Sequence, residues 1–124
     1  MSAIIAELAP DTFKAAISTG TVLVDFWGTH CAHCKTILPV LEELAADPAI
    51  STKLTIVKVK ADEHRTIAAE YGIRAVPTFL IFKDGQPVEK IVGTNGITTK
   101  TSFAARLQPH LQSGTGCQPV FSKS

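Results

Sequence analysis

Apolar and polar positions alternate along the chain with two different periods. The run TVLVDFW (21–27) is almost entirely apolar and rich in β-branched and aromatic residues, which is typical of a buried strand. Further along, apolar residues recur at helical spacing and form one stripe, namely Cys34, Ile37, Leu38, Leu41, Leu44 and Ala45. We expect this helix to kink at Pro39, because proline removes a backbone hydrogen bond, and to end at Asp47-Pro48.

The pattern of apolar positions, together with proline and glycine, predicts the other helices and strands. They are a helix near residues 10–18, a strand within 54–62, a short helix around 67–71 closed by Gly72, a hairpin over 77–93 turning at Asp84-Gly85, and a helix around 103–111 interrupted by Pro109. A strand, helix and strand in succession imply a parallel pair, whereas the hairpin adds antiparallel strands. We therefore expect an α/β fold with a central mixed β-sheet flanked by helices on both faces. We expect residues 1–112 to form this domain and residues 113–124 to be a flexible tail.

Length, charge and cysteine content narrow the functional classes. A chain of 124 residues suits one domain, and its formal net charge of +1 gives no reason to expect binding to nucleic acid or to an anionic membrane. No apolar stretch approaches the length needed to span a bilayer. The start MSAIIAELAP lacks the features of a signal peptide, so we expect a cytoplasmic protein. Three cysteines, an odd count, argue against a secreted disulfide scaffold.

Two of the cysteines stand close together in THCAHCK (29–35), at the change from strand to helix. Cys31 is expected at the first turn, where free N–H groups and the helix dipole favour an anion and hold the thiol pKa below its usual value of about 8.5. Cys34 lies one turn further on, in the apolar stripe, and is expected to be buried. An exposed nucleophile beside a buried partner is the arrangement that thiol–disulfide exchange requires.

A metal site is the first alternative, because His30, Cys31, His33 and Cys34 are ligand types for zinc. Structural zinc usually takes ligands from two separate clusters, and the remaining histidines and Cys117 are isolated in the sequence. Haem attachment requires histidine directly after the second cysteine, where this chain has Lys35. We therefore expect neither a metal nor a bound cofactor.

Asp25 interrupts the apolar strand, where an unpaired carboxylate is costly. Its expected partner is Lys58 in the apolar run IVKVK, and a buried Asp25 near Cys34 would accept that thiol's proton through a water molecule. The alternative is an aspartate at a strand edge that faces solvent.

The chain resembles the thioredoxins over about residues 5–112. The resemblance is carried by VDFWGTHCAHCK (24–35), Pro39, KVKAD (58–62), YGIRAVPTFLIFKDG (71–85) and KIVG (90–93). It implies the thioredoxin fold, a redox pair at Cys31 and Cys34, and Asp25 and Lys58 as the buried carboxylate and its lysine. It also implies a substrate surface formed by Trp27, Val76, Pro77 and Gly93, with a cis peptide bond before Pro77 and a substrate strand hydrogen-bonded to Val76.

The activity implied by this resemblance is the reduction of disulfides in protein substrates by dithiol exchange. The implied partner is an NADPH-dependent flavoprotein, thioredoxin reductase, and we expect the protein to act as a monomer. Two alternatives stay open: a non-catalytic binding module with the same fold, and an isomerase or oxidase, which would need an oxidising compartment.

Four features depart from the thioredoxin pattern. Ala32-His33 replaces the usual Gly-Pro, and a protonated His33 would favour the Cys31 thiolate. We therefore expect a reduction potential between the reference values of about −270 mV for thioredoxin and about −180 mV for protein disulfide isomerase. His30 replaces a tryptophan and adds a titratable group beside Cys31. The segment 94–100 is longer than usual, and Cys117 is either a stray thiol or a regulatory one.

Overall fold

A five-stranded mixed sheet forms the centre of the computed structural model, which describes residues 5–94 and 96–111. The strands are β1 (Ala6–Glu7), β2 (Thr21–Trp27), β3 (Thr55–Lys60), β4 (Thr78–Lys83) and β5 (Gln86–Val92). Their spatial order is β1-β3-β2-β4-β5. β3 is parallel to β1 and β2, whereas β4 is antiparallel to β2 and β5, so the predicted mixed sheet is confirmed.

Helices cover both faces of this sheet, as predicted. They are α1 (Pro10–Ile17), α2 (Ala32–Ala46), α3 (Pro48–Ser51), α4 (Arg65–Glu70) and α5 (Lys100–Leu111). One core cluster joins α2 and α5 to the sheet face that carries Leu23, and the other joins α1 and α4 to the face that carries Val22 and Val24. This division follows from the alternation of side chains along each strand.

Several boundaries follow from single residues. α2 ends at Ala46 because Asp47 is extended before Pro48, and the Asp47 carboxylate then accepts the Ala49 N–H at 3.0 Å and caps α3. The β4–β5 turn lies at Asp84 and Gly85, whose φ angles of 49° and 87° suit the predicted hairpin.

Three details differ from the sequence predictions. β1 and the four-residue α3 were not predicted, because elements this short carry no periodic signal. Pro109 lies inside α5, which runs on to Leu111. Proline removes one backbone hydrogen bond from a helix, and α5 continues past this loss, so the interruption expected there was wrong.

No helix in the described ranges has the length and apolar character that a bilayer crossing requires. The predicted tail, residues 113–124 with Cys117, lies outside the described residues.

Candidate active site

The two closely spaced cysteines form a disulfide at the start of α2, with their Cα atoms 5.3 Å apart. Cys31 is the N-cap residue of that helix, and its Sγ accepts the Cys34 main-chain N–H at 3.1 Å. The sulfur thus occupies the place that a serine or aspartate oxygen takes in an ordinary cap. A donor N–H and the positive end of the helix dipole are both directed at this atom.

Both cysteines are buried in this disulfide-bonded form, with 9% of Cys31 and 3% of Cys34 exposed. The expectation of an openly exposed Cys31 is therefore wrong for the oxidised protein, because the capping hydrogen bond and the disulfide hold its sulfur against the helix. Cys31 remains the more accessible of the two. Cys34 is buried on the core side of α2, as its place in the apolar stripe predicted.

The residues around the cysteines face solvent. His30, Ala32 and His33 are exposed, the last two in the first turn of α2. The loop before Cys31 is tied down by Thr29, whose hydroxyl donates to the Asp62 carboxylate at 2.8 Å. This hydrogen bond holds the pKa of Asp62 below its usual value. Within the described residues, no group of histidine, cysteine, aspartate and glutamate side chains has the arrangement of a metal site.

Asp25 is buried in the middle of β2, with 1% of its surface exposed, which excludes the solvent-facing alternative. It lies on the same sheet face as Leu23, the face that α2 covers. Among the described residues its Oδ1 has no hydrogen-bond partner. Burial raises the pKa of Asp25 to about 7, although the positive charge of Lys58 acts to lower it and the negative charge of Glu7 raises it.

Lys58 lies directly opposite Asp25 on β3. Its ammonium group nevertheless forms no ion pair with Asp25 within the described ranges, and instead lies 5.5 Å from the centre of the Trp27 ring. The Lys60 ammonium lies 5.4 Å from the same ring. The structure therefore places Lys58 next to Asp25 in the sheet but not in the direct contact expected from the sequence, because the aromatic face attracts the cation.

The residues assigned to a substrate surface lie close together. The Val76–Pro77 peptide bond is cis, and the Gly93 N–H donates to the Pro77 carbonyl oxygen at 2.9 Å. A Cβ added at Gly28 would lie 3.3 Å from Cγ2 of Val76, so the loop before Cys31 packs closely on the loop before Pro77. Trp27 directly precedes Gly28, and the two loops and the disulfide therefore share one end of the sheet.

Two residues of this site were missed by sequence reasoning. Gly28 matters because its missing side chain permits the contact with Val76. Glu7 accepts the Trp27 indole N–H at 3.1 Å and the Lys60 main-chain N–H at 2.9 Å. Its signal was hidden because β1 itself was not predicted.

Comparison with known proteins identifies this arrangement. The family model Thioredoxin matches residues 4–108. The chain belongs to the thioredoxin family. The thioredoxins of Staphylococcus aureus strains Mu50 and MW2 are each 44% identical over 107 residues, 86% of this chain and 98% of theirs. The crystal structure of Malassezia sympodialis thioredoxin (Mala s 13), 36% identical, matches with a TM-score of 0.75 over 90% of this chain and 94% of that one.

The fold is therefore the thioredoxin fold, and the protein is a thioredoxin-type protein-disulfide oxidoreductase. The Cys31–Cys34 disulfide is the Cys-x-x-Cys pair of such a protein. A thioredoxin acts on disulfide-containing substrates and usually receives its electrons from thioredoxin reductase.

Proposed function

We propose that Cys31 is the attacking cysteine and Cys34 the resolving cysteine in the reduction of protein disulfides. The observation that carries this assignment is the hydrogen bond from the Cys34 N–H to Sγ of Cys31, which in the reduced protein favours a thiolate at Cys31. The greater exposure of Cys31 supports the same order, since the attacking sulfur has to meet the substrate.

The reaction has two exchange steps. The Cys31 thiolate attacks one sulfur of the substrate disulfide, a mixed disulfide forms, and the other substrate sulfur leaves as a thiolate that takes up a proton. Cys34 then loses its proton and attacks Sγ of Cys31, which releases the second substrate sulfur. The substrate gains two electrons and two protons, and the pair returns to the disulfide form described here.

Asp25 is the proposed acceptor of the Cys34 proton. It lies on the sheet face beneath α2, and its Oδ1 is free of other hydrogen bonds among the described residues. A carboxyl whose pKa is about 7 exists in both protonation states at neutral pH, as a general base that later returns its proton must. We assign the transfer to an intervening water molecule. Lys58, opposite Asp25, supplies the positive charge that limits the rise in its pKa.

The substrate is proposed to bind as an extended segment across Val76, Pro77, Gly93 and Trp27. Among the described residues, the N–H and C=O groups of Val76 have no backbone hydrogen-bond partner. An extended substrate segment satisfies both groups by strand addition. The contact of Val76 with Gly28 keeps this docking edge beside the loop that leads to Cys31.

Residues around the pair are proposed to set its redox potential and partners. His33, with Ala32, replaces the usual Gly-Pro, and its exposed ring lies in the first turn of α2, where a protonated form favours the reduced state. His30 is proposed to change partner choice where the family usually has tryptophan. We further propose that the protein works as a monomer in the cytoplasm, where an NADPH-dependent flavoprotein thioredoxin reductase renews the dithiol.

The test uses Cys31→Ser and Cys34→Ser with an insulin-reduction assay coupled to NADPH and a thioredoxin reductase. Both variants should lose turnover, but only Cys34→Ser should accumulate a mixed disulfide with a disulfide-containing peptide, because it retains the attacking sulfur. Cys117→Ser is the matched control and should keep wild-type turnover. Mixed-disulfide trapping by Cys31→Ser instead would reverse the assignment, and a wild-type protein without turnover would favour the binding-module alternative.

A further inference from the structure

Glu7, on the edge strand β1, uses both of its carboxylate oxygens. Oε1 accepts the Trp27 indole N–H at 3.1 Å, and Oε2 accepts the main-chain N–H of Lys60 at 2.9 Å. β1 ends at Glu7 and therefore does not extend alongside Lys60. The Glu7 carboxylate takes the place of a strand carbonyl as the acceptor for the Lys60 N–H. The side chain therefore reaches from β1 across β3 to the end of β2.

The same residue completes a row of charges across three strands. Glu7 lies opposite Lys58, and Lys58 lies opposite Asp25, so the row runs negative, positive, negative on the face that α2 covers. Asp25 has Lys58 beside it on β3, with Glu7 of β1 beyond, and the apolar Phe79 beside it on β4. The helix α2, which begins at the Cys31–Cys34 disulfide, covers this face of the sheet. Lys58 thus stands between two carboxylates, only one of which is buried.

The indole is fixed by the same group of residues. The Trp27 ring has the ammonium groups of Lys58 and Lys60 at 5.5 and 5.4 Å from its centre, and its N–H is held by Glu7. Glu7 is consequently the one acidic side chain among the described residues that contacts both Trp27 and the backbone of β3. Loss of this carboxylate would release the ring and remove a negative charge near Lys58 in one step.

We propose that Glu7 is a positioning residue of the redox site, which holds the Trp27 indole in place and shares the positive charge of Lys58 with Asp25. The inference rests on the proposed role of Asp25 as the proton acceptor. Among the described residues Glu7 forms no hydrogen bond with the cysteines, and it acts through Trp27 and Lys58. Its negative charge is one of the influences that raise the Asp25 pKa, which agrees with the geometry.

The proposal implies that the exposed Glu7 influences the pH at which the buried Asp25 ionises. When the negative charge of Glu7 is removed, it no longer offsets the positive charge of Lys58. The Asp25 carboxyl then ionises at a lower pH. The acid limb of the pH–rate profile should then move to lower pH as well, because the ionised carboxylate is the form that accepts the Cys34 proton.

The experiment follows the Asp25 carboxyl by ¹³C NMR during a pH titration of the oxidised protein, in wild type, Glu7→Gln, Glu7→Asp and Glu63→Gln. Glu63→Gln is the matched control, because it removes a carboxylate that pairs with the Lys60 ammonium at 3.0 Å, whereas the Trp27 indole N–H donates to Glu7. We expect Glu7→Gln to lower the Asp25 midpoint by roughly half a pH unit or more, and the control to leave it unchanged.

Glu7→Asp separates charge from position. It keeps the negative charge, so the Asp25 midpoint should stay close to wild type, but its shorter side chain cannot reach both donors. Hydrogen exchange of the Trp27 indole N–H, the only indole in the chain, should therefore become faster. Equal midpoints in wild type and Glu7→Gln, or equal shifts in Glu7→Gln and Glu63→Gln, would overturn the proposal.

The titration needs no turnover, so it separates this inference from the proposed function. An unchanged Asp25 midpoint with normal insulin reduction would reject the role of Glu7 alone. A shifted midpoint with an unchanged acid limb would keep the electrostatic link but reject Asp25 as the proton acceptor, and with it the catalytic part of the proposal.

Discussion

The main-chain N–H of Cys34 donates a hydrogen bond to Sγ of Cys31 over 3.1 Å, so the residue proposed as the resolving cysteine also stabilises the sulfur proposed as the nucleophile. The hydrogen bond makes the two cysteines chemically different. Within residues 5–94 and 96–111, Cys31 is the cysteine whose sulfur receives a backbone donor at the helix start, whereas Cys34 lies deeper, above the sheet face that carries Asp25.

The first prediction concerns the reactivity of the reduced pair. Iodoacetamide at pH 7 should alkylate Cys31 at least about tenfold faster than Cys34, because the thiolate is the reactive form. Quenched time points analysed by peptide mass spectrometry measure both rates. The Cys117→Ser background removes the third thiol. Equal rates at the two positions would contradict the proposed order of attack.

Stability should depend on pH through Asp25. Its pKa rises from an ordinary 3.8 to about 7, so between these values the folded protein holds a proton that the unfolded chain has lost, and stability falls as pH rises. Asp25→Asn abolishes this dependence. Its stability relative to wild type should increase from pH 4 to pH 8 by up to about 4 kcal/mol, as measured by urea unfolding of the oxidised proteins.

Asp62→Asn is the control for that measurement, because the pKa of Asp62 is lowered by its hydrogen bond from Thr29. Its contribution to stability is present above the ordinary pKa of 3.8 and is lost only as pH falls below that value, so the stability of this variant relative to wild type should change little between pH 4 and pH 8. An Asp25→Asn curve parallel to wild type would show that the buried carboxyl titrates normally.

Asp25→Asn should also slow one chemical step selectively. Formation of the mixed disulfide depends on Cys31 and should change little, whereas its resolution by Cys34 should slow by roughly 100-fold through loss of the general base. Rapid-quench, single-turnover reactions with a disulfide-containing peptide separate the two rates. Slowing of the first step alone would assign Asp25 a different role.

The reduction potential should respond to the residues between the cysteines. Replacing Ala32-His33 with Gly-Pro should lower the potential toward about −270 mV, since protonated His33 no longer favours the thiolate. Equilibration with glutathione buffers measures the change in potential. His64→Gln is the control, because it also removes a histidine but lies at the start of α4 and not between the cysteines. A wild-type potential already at or below that of thioredoxin would refute the role of His33.

Glu89 on β5 pairs with two side chains of α5. Its Oε2 accepts from Arg106 at 2.6 Å, and its Oε1 is 2.7 Å from Nε2 of His110. Burial acts to raise the pKa of Glu89, but these hydrogen bonds hold it below its usual value, so its contribution to stability is present at neutral pH and lost in acid. Glu89→Gln should cost about 1–2 kcal/mol at pH 7 in urea unfolding.

Glu70→Gln is the comparison for that variant. Glu70 pairs with Lys14 in solvent, with 45% and 69% of the two side chains exposed, so its removal should cost less than about 0.5 kcal/mol. Equal losses in the two variants would show that the Glu89 cluster has no special structural role.

The sequence predicts those parts of the fold that carry a periodic signal. β2 was predicted with its observed bounds because its five central residues are buried between two helical layers. The β4–β5 turn was predicted because Asp84-Gly85 suits positive φ angles. β1 was not predicted, because a strand of two residues shows no periodic pattern and because its pairing with β3 is a tertiary contact.

Some residues of the site could also be predicted from the sequence, and others could not. Asp25 and Lys58 were predicted as neighbours because a charge inside an apolar strand requires an explanation. The turn of the Lys58 ammonium toward Trp27 was not predictable, because it depends on the aromatic ring that β2 presents beside it. Glu7 was missed for a related reason, since its two acceptor contacts lie 20 and 53 residues further along the chain.

The two edge strands of the sheet, β1 and β5, influence whether copies of the protein associate at high concentration. β5 carries Pro87, Glu89 and Lys90, and its pairing with β4 is irregular at Ile81 and Phe82, while β1 is only two residues long. Proline, charge, irregularity and shortness all discourage edge-to-edge association. The docking edge proposed at Val76 therefore lies in a domain whose outer strands give other copies of it little on which to nucleate aggregation.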